Sequence, residues 1–323
     1  MCNFNQHNLI IKINQYLQYK NRSLKLTSGY CHGITLLWLY KISVGEESWF
    51  YNITKKIAAC RDEKNYDDIE WDIELFISYI EWLQNSNYYL RGVNQLDIDK
   101  LTELPREFSL SFLFHHSQLN DILKMILKPD KLILMSGPNH TIGIYVKDEN
   151  IYVLDPKYNK IQPKIINDIT RLKLELIKCL FYRDYLPNCR LPLEIMILSN
   201  PDHSLANQGC HSEYGDTATL YSQLIQRCND IDKPGLDGIT NIHLACESGN
   251  EQEVCQLLEA GAEPNQMVNN EWSPMHIAAL RGDVSIVKLL LRYGASPYIS
   301  NRNGLKPVDM AAEAGHEEIM KLL

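Results

Sequence analysis

The last third of the chain repeats itself. Shifted by 33 residues, it superimposes His243 on His276 and Asp309, Gly249 on Gly282 and Gly315, and Gly261 on Gly294. A period of that length marks a stacked array, in which each unit is too small to bury its own apolar face and needs a neighbour to cover it. The residues between suit such a unit. Thr240 and Ser273 can cap a helix start, Pro274 and Pro307 fit its first turn, and Gly261 and Gly294 allow a left-handed exit from a second helix. Val254, Leu257 and Leu258, like Val287, Leu290 and Leu291, form the apolar stripe on which neighbours stack.

The segments Thr240-Asn-Ile-His-Leu-Ala, Ser273-Pro-Met-His-Ile-Ala and Lys306-Pro-Val-Asp-Met-Ala resemble the ankyrin signature Thr-Pro-Leu-His-x-Ala. The resemblance implies an all-α ankyrin solenoid over residues 201–323, with repeats at 237–269, 270–302 and 303–323 and a degenerate one at about 204–236. Leu224-Ile225 falls under Leu257-Leu258 in that degenerate unit. It also implies a protein-binding surface, read through the turn tips and the concave helix face, where Asn269, Asn270, Glu271, Trp272, Asn301, Arg302 and Asn303 lie. Trp272 is the candidate partner anchor. His243 and His276 belong to the scaffold in this reading, as hydrogen-bonding residues within and between repeats.

A chain of 323 residues suggests two domains, and 45% hydrophobic with 22% charged residues is an ordinary globular balance. A formal charge of -8 and pI near 5.7, with no basic stripe, argue against a nucleic-acid partner. The N-terminus has neither the basic nor the apolar segment of a secretory signal, and no apolar run has the length of a membrane span. A soluble protein working in a cytosol is expected. Nine scattered cysteines without C-x-x-C pairs read as reduced thiols, His115-His116 as a loop pair, and neither a metal nor a cofactor is called for.

Upstream, the pattern predicts a helix over 5–20 and an amphipathic one over about 67–84, carried by Ile69, Ile73, Phe76, Ile77, Ile80 and Leu83. Strands are expected at 131–136, 140–147, 151–154 and 194–198, with a helix at about 164–182. Lys147-Asp-Glu-Asn150 reads as a hairpin turn. Residues 1–200 are thus expected to form an α+β domain, helices beside an antiparallel sheet.

In Ser28-Gly-Tyr-Cys31-His-Gly-Ile-Thr-Leu-Leu-Trp38, the thiol follows a flexible Gly and opens a segment of helical character. A helix N-terminus favours thiolate over thiol and offers the Cys31 N–H to an oxyanion; the alternative is a buried structural Cys. His140 opens a strand, and Asp155 lies 15 residues on, at the end of the next. If Lys147 pairs with Asn150, His140 opposes Lys157 and Asp155 is diagonal on the same face; a register slipped by one puts Asp155 on the other.

On these residues, Gly29-x-Cys31 with Gly33 and Trp38, a His 109 residues later and an Asp closing the adjacent strand, the region resembles the YopT/AvrPphB family of bacterial effector cysteine proteases. The resemblance implies a papain-like core with Cys31 as nucleophile, His140 as general base and Asp155 as its partner. It further implies an effector delivered into host cells without a classical signal peptide, acting in host cytoplasm on a protein that the ankyrin repeats recruit. One departure stands out: the Gln or Asn that completes the oxyanion hole should lie shortly before the Cys, where Lys25 sits instead. Asn21, Gln18 or Gln15 could serve. The same Cys-His-Asp set also supports a deamidase, transglutaminase or acyltransferase, and a catalytically silent host-protein-binding adaptor is the reading from another class.

Overall fold

The computed structural model describes residues 6–22, 30–60, 66, 69–84, 106–115, 118–129, 131–137, 140–157, 162–180, 190–198, 217–226, 230–235, 238–268 and 272–323. The chain divides into two compact units that are each discontinuous in sequence. The first comprises Met1–Ser109, Asn120–Arg183 and Ile195–Cys210; the second comprises Leu110–Leu119, Asp184–Glu194 and His211–Leu323.

The first unit opens with helices α1 (Gln6–Tyr19), α2 (Cys31–Ser43), α3 (Glu47–Ala59) and α4 (Glu70–Gln84). It continues with α5 (Leu119–Ile126), β2 (Leu132–Gly137), β3 (His140–Lys147), β4 (Asn150–Leu154), β5 (Lys164–Ile166) and α6 (Ile169–Leu180). With β1 (Arg106–His115) and β6 (Arg190–Leu198), the strands form one sheet in the order β1-β6-β2-β3-β4-β5. From β2 to β5 every neighbour is antiparallel.

Helix α2 holds this unit together. Its sequence is apolar on every side, which suits a helix surrounded by protein, and Ile34, Leu36, Leu37, Trp38 and Leu39 are all buried. Its partners are α4, which contributes Ile73, Phe76, Ile77 and Ile80, and the face of β3. The approach to β3 is close enough to require glycine. A Cβ on Gly143 would lie 2.9 Å from Thr35 Cγ2 and 3.0 Å from the Trp38 ring. Gly143→Ala should therefore push α2 off the sheet and cost about 1–3 kcal/mol. A urea titration of the variant checks this. An unchanged midpoint would mean that the helix gives way without cost.

The β3–β4 hairpin has the expected register, Lys147 paired with Asn150 and Gly143 with Leu154. Its two turn residues, Asp148 (φ 48°) and Glu149 (φ 63°), both adopt the left-handed conformation that a tight two-residue hairpin needs. Where one helix was expected over 164–182, the chain first adds the short strand β5 to the edge of β4 and starts α6 only at Ile169. The start of a helical pattern is the least determined part of it, and backbone groups offered by an open strand edge win the first three residues.

The second unit contains the repeats. Following α7 (Thr217–Gln226) come three helix pairs: α8 (Asn241–Ser248) with α9 (Glu251–Glu259), α10 (Pro274–Arg281) with α11 (Val284–Arg292), and α12 (Pro307–Ala314) with α13 (Glu317–Leu322). Each first helix starts with a cap in which the third helical residue's side chain accepts the cap residue's N–H, His243 from Thr240, His276 from Ser273 and Asp309 from Lys306, with Ser273 Oγ accepting the His276 N–H in return, and ends at a left-handed glycine, Gly249, Gly282 or Gly315. His243 and His276 each accept the cap amide on Nδ1 and donate Nε2–H to a carbonyl of the following turn, Gln266 O at 3.0 Å and Leu305 O at 3.1 Å. Burial pushes His243 down to about 4, so it stays neutral, as this double role requires.

The part of β1 from Leu110 onward belongs to this unit and lies against the first full repeat. Leu113 N–H donates to Asn241 Oδ1 at 2.8 Å, Ser111 N–H donates to Glu253 Oε1 at 3.4 Å, and Phe112 meets Tyr221 edge-on at 5.5 Å. Asn241 and Glu253 are both buried. The corresponding positions of the next repeat are Pro274 and Ile286, which offer no such acceptors, so only the first repeat is built to hold this strand.

Candidate active site

Cys31 is the first residue of α2, and no side chain caps that helix start among the described residues. The thiol is buried at 6% exposure. β3 brings His140 opposite Gly137 of β2, and the hairpin brings Asp155, just past the end of β4, back to the same imidazole. Their bond, His140 Nε2–H to Asp155 Oδ1, is 2.5 Å long, and both side chains are buried. Asp155 Oδ1 also accepts the Lys157 N–H at 2.8 Å. The three residues singled out in the sequence thus stand together in the first unit.

Nε2 is committed to Asp155, which leaves Nδ1 for the thiol. Cys31 and His140 act on each other both as hydrogen-bond partners and as charges, while Nδ1 has otherwise no partner among the described residues. Burial by itself would raise the Cys31 thiol. The imidazole, the Thr141 N–H and the charge of Lys157 outweigh it and hold Cys31 below its ordinary value. Burial would likewise depress His140, but Asp155 and Cys31 hold it above the usual range. For Asp155, burial is overcome by His140, the Lys157 amide and the thiol of Cys179, so its carboxyl stays low. All three shifts favour a thiolate beside an imidazolium that is backed by a carboxylate.

Secondary contacts fix these groups. Thr35 Oγ1 donates to Thr141 O at 3.4 Å, and the Ser136 and Thr141 hydroxyls are 3.1 Å apart, so α2, β2 and β3 are tied where Cys31 meets His140. The Gln6 N–H donates to Pro156 O at 2.8 Å, joining α1 to the residue after Asp155. Thr35 could have been found in the sequence, being one helical turn beyond Cys31. Much of what Thr141, Lys157 and Gln6 contribute comes through their backbone N–H or C=O groups, for which side-chain patterns give no signal.

Other candidates lie elsewhere. Gln18 and Asn21 sit exposed at the C-terminal end of α1, as does Gln15, and none of them is buried with the thiol. Trp272 is half-buried and packs edge-on against His276, with ring centroids 6.2 Å apart. Among the described residues of the repeats the most exposed aromatic ring is Tyr298, 73% exposed on a turn between repeats. Asn301 is buried, its Oδ1 accepting the Asn303 and Leu305 N–H groups; Asn269, Asn270 and Glu271 lie outside the described residues.

Among the described residues there is no group of three or more His, Cys, Asp or Glu able to hold a metal, and no helix long and apolar enough to cross a membrane. The family model for ankyrin repeats (3 copies) matches residues 209–297 and 242–323. Those matches take in the repeats read from the 33-residue period and overlap the degenerate unit, so the C-terminal region consists of ankyrin repeats. Such repeats suggest a protein-binding role. No curated protein matches the chain.

Proposed function

We propose that the first unit is a thiol-dependent hydrolase, a cysteine protease of papain-like arrangement, and that the ankyrin repeats hold its protein substrate. The buried Cys31–His140–Asp155 constellation, with all three ionisations shifted towards a thiolate–imidazolium pair, carries the reading. In the reaction, the Cys31 thiolate attacks a peptide carbonyl and the oxyanion meets the N–H groups at the start of α2. His140 protonates the leaving amine and the C–N bond breaks, leaving a thioester on Cys31. His140 then takes a proton from water, whose oxygen attacks the thioester and releases the acid, restoring the Cys31 thiolate beside the His140 imidazolium. The resemblance to the YopT/AvrPphB effectors extends the proposal to a host protein as substrate and to action in host cytoplasm.

Mass spectrometry of a eukaryotic lysate treated with the full chain tests the reaction type. New protein termini, absent with Cys31→Ala, are expected. A gain of about one mass unit at Gln or Asn without new termini replaces proteolysis by deamidation through the same thioester. Neither change, together with an unreactive Cys31, leaves the adaptor.

The recruiting role has its own test. Tyr298→Ala should weaken capture of the substrate about tenfold or more, the scale of an exposed aromatic anchor, while leaving Cys31 labelling unchanged. Equal turnover of that substrate by the variant would remove Tyr298 from the docking surface.

A further inference from the structure

We propose that Thr35 is a positioning residue, its hydroxyl holding the Thr141 backbone of β3 in the place where the Thr141 N–H and the adjoining His140 meet the Cys31 thiol. The inference rests on the assignment of Cys31 as nucleophile and His140 as its base. Its starting point is the β3–β4 hairpin. A two-residue turn makes the residues that flank it, Lys147 and Asn150, a hydrogen-bonded pair, and such pairs recur at every second residue of an antiparallel ladder. Tyr145 and Gly143 therefore turn their N–H and C=O groups towards β4, and Thr141 turns its own the same way. The register sets Thr141 opposite Pro156, one step beyond the last ladder pair on that side of the strand, Gly143 with Leu154. Pro156 has no N–H to give, and its carbonyl accepts the Gln6 N–H at 2.8 Å. The ladder thus ends short of Thr141.

Helix α2 takes its place. The Thr141 C=O accepts the hydroxyl of Thr35 at 3.4 Å, and the Thr141 N–H is a donor to Cys31, one helical turn before Thr35. Thr35 is fully buried, and both of its branches are fixed on β3. Its Cγ2 lies 2.9 Å from the place a Cβ on Gly143 would take, so the methyl sits on the glycine and the hydroxyl on Thr141, two residues earlier in the strand. From the other side, the Ser136 and Thr141 hydroxyls are 3.1 Å apart and tie the Thr141 side chain to β2. His140 directly precedes Thr141, so a strand that slips from Thr35 carries both the amide and the imidazole away from the thiol.

The test is the pH dependence of Cys31 alkylation by iodoacetamide in the full chain, followed on the Cys31 peptide. Thr35→Val keeps the shape of the side chain and leaves the Thr141 carbonyl without its donor. It should move the acid limb of the profile up by about half to one pH unit, the size of one modest hydrogen bond, and slow alkylation on that limb by about 3- to 10-fold. Thr35→Ser, which keeps the hydroxyl and drops the methyl, should hold the wild-type limb. If the Val variant does not fold, Thr35→Ala, which removes the same hydroxyl without adding a methyl, takes its place and is read in the same way. A limb that stays put when the hydroxyl is removed, or one that Val and Ser move equally, overturns the positioning role. A wild-type Cys31 that alkylates as an ordinary thiol overturns the active-site reading instead.

Discussion

Replacing His140 with Ala should slow alkylation of Cys31 at pH 6.5 by about 30-fold or more, and turnover of a protein substrate by about a thousandfold. Cys31 is buried, and burial opposes ionisation; His140 is the largest influence acting the other way. Without the imidazole, the Thr141 N–H and Lys157 are left to oppose burial, and the thiol returns towards or above its ordinary range. In the wild type the thiolate should persist as pH falls below that range and disappear only through the depressed value. The variant should lose it at higher pH. Asp155→Asn should move the limb in the same direction by a smaller amount, because the imidazole survives but its support is weakened. A His140→Ala protein that alkylates at the wild-type rate would show that the thiol owes its ionisation to something else and would sink the proposed chemistry.

The second large effect concerns stability. Burial pushes Glu253 up to about 8, against the pull of the Ser111 N–H, with Glu194 raising it further and Asn250 lowering it. One oxygen accepts the β1 amide, while Oε2 has no partner among the described residues, as suits a carboxyl that keeps its proton. The folded state therefore binds a proton that the unfolded chain releases near 4.5. Stability from this group is present in full below that value, declines as pH rises through the interval, and is gone above about 8. The span is on the order of 3–5 kcal/mol. Glu253→Gln should remove that slope. At pH 8.5 it should be more stable than wild type by about 1–3 kcal/mol, the gain being reduced by the buried amide N–H that replaces an oxygen. Near pH 5 it should be equal or weaker. Hydrogen exchange at the Ser111 and Leu113 amides, measured at both pH values, reads the effect where the carboxyl acts. Parallel pH profiles for the two proteins would place the proton elsewhere.

Much of this was legible because local chemistry repeats or closes over short distances. The repeats announce themselves by period, and their caps and left-handed glycines sit where the fold needs them. The β3–β4 register follows from two turn residues, and that register carries His140 and Asp155 to one another. Helix α2 reads as buried from its unbroken apolar run. The strand β1 was open to notice: Phe108, Leu110, Phe112 and Phe114 alternate, a strand signal. Its place at the sheet edge beyond β6 could not be found that way, since strand order depends on contacts far apart in sequence. α3 and α5 are amphipathic and were open to notice as well, although α5, at 8 residues, needs tertiary packing for most of its stability.

The sequence alone determined the ankyrin array, the hairpin and the three residues of the candidate site, each through near-neighbour stereochemistry: a period, a two-residue turn, a helix start. Tertiary structure decided the rest. Gly143 lets α2 come close enough to β3 to set Cys31 beside His140, and the part of β1 from Leu110 onward satisfies its amides on Asn241 and Glu253. Those outcomes depend on which buried donor finds which acceptor once the chain has folded back on itself, and no spacing along the sequence records that choice.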